Sequence, residues 1–233
     1  MADTDIYQNK QARHLPIILL LDISSSMIDN NKIGILNQAV KDMIDTFSNF
    51  KNPSIQLDVA IITFGGTALM HQDMLPANKI SWSDMRASGM TPMGAALTMA
   101  KTLIENKDKI SSNSYRPVAI LVSDGMPNDN WVDPMNDFIN NGRTSKVQRM
   151  SMGIGNEGNS MKEPLVKFSG ESHYYCASDA KNIIEFFNYV TMSVIKSASS
   201  TNPNSVISPT IDINKEIENF TVLSSSIEED DDF

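Results

Sequence analysis

Apolar residues run almost unbroken from Leu15 to Leu21 (LPIILLL), with none of the polar alternation of a strand that has one wet face. A continuous run of this length, bounded by polar residues, predicts a strand buried on both faces. The pattern returns at Ser54–Phe64, ended by Gly65-Gly66, and at Val118–Ser123, ended by Asp124-Gly125. Between these runs the apolar positions recur at helical spacing. Ile33, Leu36, Val40, Met43, Ile44 and Phe47 predict a helix from Lys32 to Phe50, stopped by Asn52-Pro53. Ala96, Met99, Ala100, Leu103 and Ile104 predict a second helix from Pro92 to about Asp108, with Thr91 placed to cap it.

Downstream the alternation continues. A helix at Trp131–Asn141, a strand at Val147–Ile154, a short helix at Met161–Phe168 and a short strand at His173–Cys176 follow in turn. The last helix, Ala180–Lys196, turns Ile183, Ile184, Phe187, Val190, Val194 and Ile195 inward. Thr67–Leu75 alternates weakly and predicts a short edge strand. Strands alternating with helices through short links predict an α/β fold, doubly wound, with a mostly parallel central sheet and helices on both faces. After Ser197 the character changes to SASSTNPNSVISPT and an acidic end. The expected organisation is an N-terminal extension over 1–14, one domain over 15–197 and a Ser/Asn-rich acidic tail over 198–233.

The charge follows that division. Of a net −9, the tail from Ala198 carries −7 (eight acids against Lys215), leaving the body near neutral at −2. No basic cluster suggests nucleic acid. The longest apolar runs are far short of the roughly 20 residues that span a bilayer. The first residues, MADTDIYQNKQARH, have no apolar signal core. A single cysteine, Cys176, rules out a disulfide framework and fits a reducing compartment. A cytoplasmic protein is expected.

The candidate chemistry lies where the buried strands end. In an open α/β sheet, ligands sit outside the carboxyl ends of the central strands. Three loops deliver oxygens to that edge: Asp22, Ser24 and Ser26 after the first strand, Thr91 before the helix at Pro92, and Asp124 after Ser123. Singly, each has an ordinary structural role: Ser24 and Ser26 can cap the first helix, Thr91 the second, and Asp124-Gly125 is a common turn pair. Together they form an all-oxygen set of two carboxylates and three hydroxyls. That set suits Mg²⁺, Mn²⁺ or Ca²⁺ rather than zinc, and the small number of charged donors favours Mg²⁺.

These residues carry a resemblance. Asp22-x-Ser24-x-Ser26, Thr91 in GMTPMG and Asp124 in LVSDGMPND resemble the metal-ion-dependent adhesion site of von Willebrand factor type A domains, over roughly Leu15–Lys196. The GMTPMG and SDGMPND forms are similar to a bacterial intracellular subgroup that includes tellurium-resistance-associated, TerY-type proteins. The resemblance implies a mostly parallel sheet with one antiparallel edge strand, expected at Thr67–Leu75. It implies that Ser24, Ser26 and Thr91 hold the ion directly, that Asp22 and Asp124 act largely through waters, and that a partner's Glu or Asp completes the shell. The expected function is a non-catalytic, divalent-cation-dependent protein-binding module, in a stress or tellurium-resistance-type complex.

Further expectations attach to this reading. Met27, Met90, Met93 and Met126 each lie within two residues of a proposed ligand, and an adaptable methionine collar suits a surface that re-packs around partners. The chain's own acidic tail is a second candidate for the open coordination position. Ser224–Ser226, just before Glu228–Asp232, stand in a context acidophilic kinases use, although a solvated tail is the simpler role. Two alternatives compete: a Mg²⁺-dependent phosphoryl-transfer hydrolase using Asp22, and a metal-independent scaffold. Aspartate-phosphorylating hydrolases have a second acid two positions after the first, where this chain has Ser24. No GxxxxGK[ST] loop is present. His14, His71 and His173 are scattered, and Cys176 reads as a core residue. Asp129 and Asp133 are expected to cap the helix around Trp131.

Overall fold

The computed structural model describes residues 12–155, 162–178 and 180–204. Six strands form one sheet: β1 (Arg13–Asp22), β2 (Ile55–Gly65), β3 (Thr67–Pro76), β4 (Val118–Ser123), β5 (Gln148–Ile154) and β6 (Tyr174–Ala177), in the order β3-β2-β1-β4-β5-β6. Only β2–β3 is antiparallel; the other pairs are parallel. The weakly alternating Thr67–Leu75 stretch is thus the antiparallel edge strand. β1 lies between β2 and β4, so the chain leaves it to one side first and returns on the other. That is the switch point of a doubly wound sheet, and the loops after β1 and β4 open onto it.

Alternation along β1 assigns the two cores. Leu15, Ile17, Leu19 and Leu21 face α1 (Lys32–Asn49) and α5 (Ala180–Ser199). Ile18 and Leu20 face α2 (Met93–Glu105), α3 (Val132–Asn140) and α4 (Lys162–Ser169). A strand covered on both sides has no wet face to mark with polar residues, which is why its sequence reads as a continuous apolar run.

Several boundaries and faces differ from the sequence expectation. β1 begins at Arg13, inside the expected extension, and His14 Nδ1 stands 2.5 Å from Asp58 Oδ2. A 3-10 stretch, Ser25–Asn31, intervenes before α1. The inner face of α5 is Ile183, Phe186, Phe187, Val190 and Val194, while Ile184 is exposed and Ile195 only partly covered. At about 100° per residue the stripe centres on Ile183, Val190 and Val194 and reaches Phe186 and Phe187 on either side, which leaves Ile184 turned out of it. α5 runs past Lys196 to Ser199, and the chain beyond it stays on the body: Asn204 Oδ1 accepts from Arg116 N at 2.8 Å. The described fold therefore extends past the expected boundary at 197. Most of the acidic tail, with the serines at 224–226, lies outside the described residues, as does most of the extension over 1–14.

Candidate metal centre

Asp22 is the last residue of β1 and is fully buried. Its Oδ1 accepts from Ser24 N at 2.7 Å and its Oδ2 from Ser123 Oγ at 2.5 Å. The first bond closes an Asx turn that bends the chain into the Ser24–Ser26 loop. The second ties the ends of β1 and β4 together across the switch point. Burial pushes the Asp22 carboxyl up to about 6, the nearby Asp124 charge adds slightly, and the Ser123 and Ser24 bonds pull the other way.

The loop hydroxyls form a directed relay. Ser26 Oγ donates to Asp124 Oδ1 at 2.6 Å. Ser24 Oγ lies 2.9 Å from Ser26 Oγ. Because a hydroxyl has one proton and that of Ser26 goes to Asp124, Ser24 is the donor in this pair. Asp124 Oδ2 takes the Lys32 ammonium at 2.7 Å, and that ammonium also bonds Ser26 O at 3.3 Å. Thr91 faces the relay across Gly125. A Cβ on Gly125 would lie 3.5 Å from Thr91 Oγ1 and 3.8 Å from Ser26 Oγ, so the two hydroxyls converge on one small residue. The structure thus brings all five sequence-predicted oxygens to one sheet edge.

Backbone contacts hold the middle loop in place. Ser88 N bonds Ile23 O at 2.7 Å, Ser25 N bonds Gly89 O at 2.9 Å and Gly66 N bonds Met90 O at 2.7 Å. Gly89 has φ +75, and a Cβ there would stand 2.5 Å from the Gly66 backbone, so only glycine permits this approach. Gly94, at the start of α2, is packed equally closely: a Cβ would lie 2.3 Å from Asn130 O. GMTPMG is therefore a packing motif around Thr91.

The capping roles weighed for these residues are not the ones found. Neither Ser24 nor Thr91 makes a side-chain cap bond, and Pro92 occupies the N-cap position of α2. Asp129 caps α2 instead of the helix around Trp131, accepting from Gly94 N at 3.0 Å and Ala95 N at 2.9 Å. Asp133 accepts from Asn130 Nδ2. The hydroxyls are left facing one another because Asp129 reaches over from the β4–α3 loop to satisfy the helix end.

The methionine collar needs correction. Met27 and Met93 are fully buried, one in each core, because each points back under its loop. Met90 and Met126 are exposed by 63% and 42%, and Ile28, two residues after Ser26, by 59%, so these three are the exposed apolar residues next in sequence to the proposed donors. Lys32, Ser123 and the true role of Asp129 were missed from the sequence. Lys32 carried a signal: a cation in the first turn of a helix has the wrong sign for the dipole and needs an acid close by.

The donors are chemically fit for a hard cation. Three hydroxyls and two carboxylates gather at this sheet edge, with no sulfur or imidazole among them. Among the described residues no group of three or more His, Cys, Asp and Glu side chains gathers as a metal site, so any ion at this edge would depend on the hydroxyls. His14 lies at the far end of β1, His71 on β3 against Trp82, and His173 just before β6. Cys176 is half-buried beside Gly155 O. No helix among the described residues is long and apolar enough to cross a membrane.

The family model for the von Willebrand factor type A domain matches residues 17–188. Among solved structures, proximal thread matrix protein 1 from the mussel byssus, with its MIDAS motif occupied by zinc, is 20% identical with a TM-score of 0.59, covering 80% of this chain and 47% of that one. The pilus adhesin SpaC from Lactobacillus rhamnosus GG is 15% identical with a TM-score of 0.63, covering 81% and 31%. A von Willebrand factor type A protein from Catenulispora acidiphila is 20% identical with a TM-score of 0.58, covering 78% and 43%. At these identities the likeness is one of fold, and the chain spans less than half the length of each of the three. No curated protein matches the sequence.

Proposed function

The chain belongs to the von Willebrand factor type A domain family, and from that premise we propose that it is a divalent-cation-dependent protein-binding module rather than an enzyme. Ser24, Ser26 and Thr91 would hold the ion, with Asp22 and Asp124 acting through water. The bound ion supplies an electrophilic centre that accepts a carboxylate from a partner's Glu or Asp. The observation that carries this reading is the convergence of Thr91 Oγ1 and Ser26 Oγ on Gly125, beside the Ser24–Ser26–Asp124 relay. The donor set supports Mg²⁺ first, with Mn²⁺ and Ca²⁺ next.

The surroundings support a macromolecular partner. Met90, Met126 and Ile28, each within two residues of a proposed donor, are exposed and apolar. Two clefts on the described surface lie elsewhere, one lined by Phe47, Phe50 and Ile55 and the other by Met70, Met99 and Leu103. Asp22 is a poor nucleophile for phosphoryl transfer, since both its oxygens accept protein hydrogen bonds and neither reaches the surface. A cytoplasmic setting, a TerY-like bacterial lineage and a tellurium-resistance-type complex form the finer part of the proposal. The GMTPMG and LVSDGMPND forms and the lone cysteine support it. The acidic tail is a candidate competitor for the partner's position, so deleting the chain after Ser224 is expected to raise partner affinity.

The test is affinity capture by the full chain in Mg²⁺ and in EDTA, wild type beside Thr91→Ala. Partners retained by wild type in Mg²⁺ and lost in both EDTA and the variant are the expected result. Capture that ignores EDTA would leave only the metal-independent scaffold.

A further inference from the structure

Lys32 is the first residue of α1, where the helix dipole disfavours a cation and no acid stands in the first turn. Its ammonium is nevertheless held tightly, on Asp124 Oδ2 and Ser26 O, with its side chain only 19% exposed and that of Asp124 fully covered. The backbone just before it is built for this. Asn30 (φ 53) and Asn31 (φ 56) both lie in the left-handed region, a costly conformation for residues with side chains. Gly34 makes room for the turn, since a Cβ there would stand 2.4 Å from Asn31 Oδ1. Together these place a fixed positive charge inside the hydroxyl cluster.

We propose that Lys32 is an internal cation that competes with the divalent ion for Asp124 and thereby sets the metal affinity of the site. This rests on the metal reading above. Both oxygens of Asp124 are engaged, Oδ1 by Ser26 and Oδ2 by Lys32. An ion drawing on Ser26 Oγ and Asp124 comes within a few ångströms of the ammonium, and like charges repel strongly in a partly buried site. Metal binding therefore displaces Lys32 from Asp124 or works against its charge, and a neutral residue at position 32 removes either penalty. A partner's carboxylate adds negative charge at the same point. Metal and acidic partner then bind with positive coupling, each raising the affinity of the other by the same factor.

Mn²⁺ titration of the full chain, followed by electron paramagnetic resonance, tests this on wild type, Lys32→Gln, Lys32→Arg and the Asp22→Ala/Lys32→Gln double variant. The Gln variant is expected to bind Mn²⁺ about tenfold more tightly or better, the Arg variant no more tightly than wild type, and the double variant to lose the gain. Metal-induced rise in Tm is the second readout, larger in Lys32→Gln than in wild type. Lys32→Met, which keeps the aliphatic stem, replaces the Gln variant if that one unfolds. Equal or weaker binding in the neutral variants, with wild type binding normally, overturns the proposal and leaves the metal site standing. Absence of Mn²⁺ binding in every variant overturns the metal reading and this inference together.

Discussion

Asp22 and Asp58 sit on adjacent central strands, both buried, both with burial raising the carboxyl above its ordinary value. Their surroundings differ in kind. Asp22 has each oxygen satisfied by a neutral donor, Ser24 N and Ser123 Oγ, and its nearest charge is another carboxylate. Asp58 has an imidazole, His14, on one oxygen, while its Oδ1 accepts no hydrogen bond among the described residues. Hydrogen-bond saturation and charge compensation are separate requirements. At Asp22 the first is met and the second is not, which leaves a need for positive charge at the sheet edge. At Asp58 the reverse holds: an imidazole stands next to one oxygen, while the other lacks a donor among the described residues.

The largest effect expected from this contrast is at Asp22. Asp22→Asn keeps the shape and should lower metal affinity by about a hundredfold, since the negative charge that faces the ion through water is lost. In EDTA the same variant should be more stable than wild type at pH 8, by on the order of 2 kcal/mol. The raised pKa means that the folded chain holds this proton more tightly than the unfolded one. The corresponding stability is fully present below about pH 4 and lost as pH rises through about 6. Urea denaturation at pH 4 and pH 8 should show the two chains converging at the lower pH, and a variant less stable at both would break the comparison.

Ser26→Ala comes next. It cuts the relay between Ser24 and Asp124 and should cost about tenfold in metal affinity and about 1 kcal/mol of stability. Calorimetry and thermal unfolding read the two effects separately. At the other carboxylate, Asp58→Asn should leave metal affinity unchanged, because the site lies at the far end of the sheet. Asp58 is also raised, so its share of stability likewise falls as pH rises from the ordinary carboxylate range, and the variant should flatten that slope. An altered metal affinity would show that the two regions are not independent. The smallest effect on stability is expected at the rim. Met90→Ser with Met126→Ser should change Tm little, within about 0.5 kcal/mol, while weakening partner capture. Met27→Ala, in contrast, removes a buried core side chain and should cost roughly 2–5 kcal/mol.

The sequence made the sheet and the five oxygens legible for one reason. Buried strands announce themselves as apolar runs, and the residues at their carboxyl ends must lie at the sheet edge. What it did not show were relations between loops. Asp129 reads locally as a cap for the helix that follows it, but reaches back to Gly94 and Ala95, a partner that only the folded loop reveals. Ser123 read as the last residue of a strand, and its bond to Asp22 depends on β1 and β4 being neighbours. Met27 and Met93 lie as close in sequence to the ligands as Met90 and Met126, yet point into the cores. Sequence distance from a ligand does not say which way a side chain turns, and two of the four collar positions failed for that reason.

The central claim is that this sheet edge holds a divalent cation. Calorimetric titration of the metal-stripped chain with Mg²⁺, Mn²⁺ and Ca²⁺, wild type beside Asp22→Ala and Thr91→Ala, tests it most directly. The account predicts saturable single-site binding in wild type that disappears in both variants. Identical heats in all three proteins, or none in any of them, would contradict it.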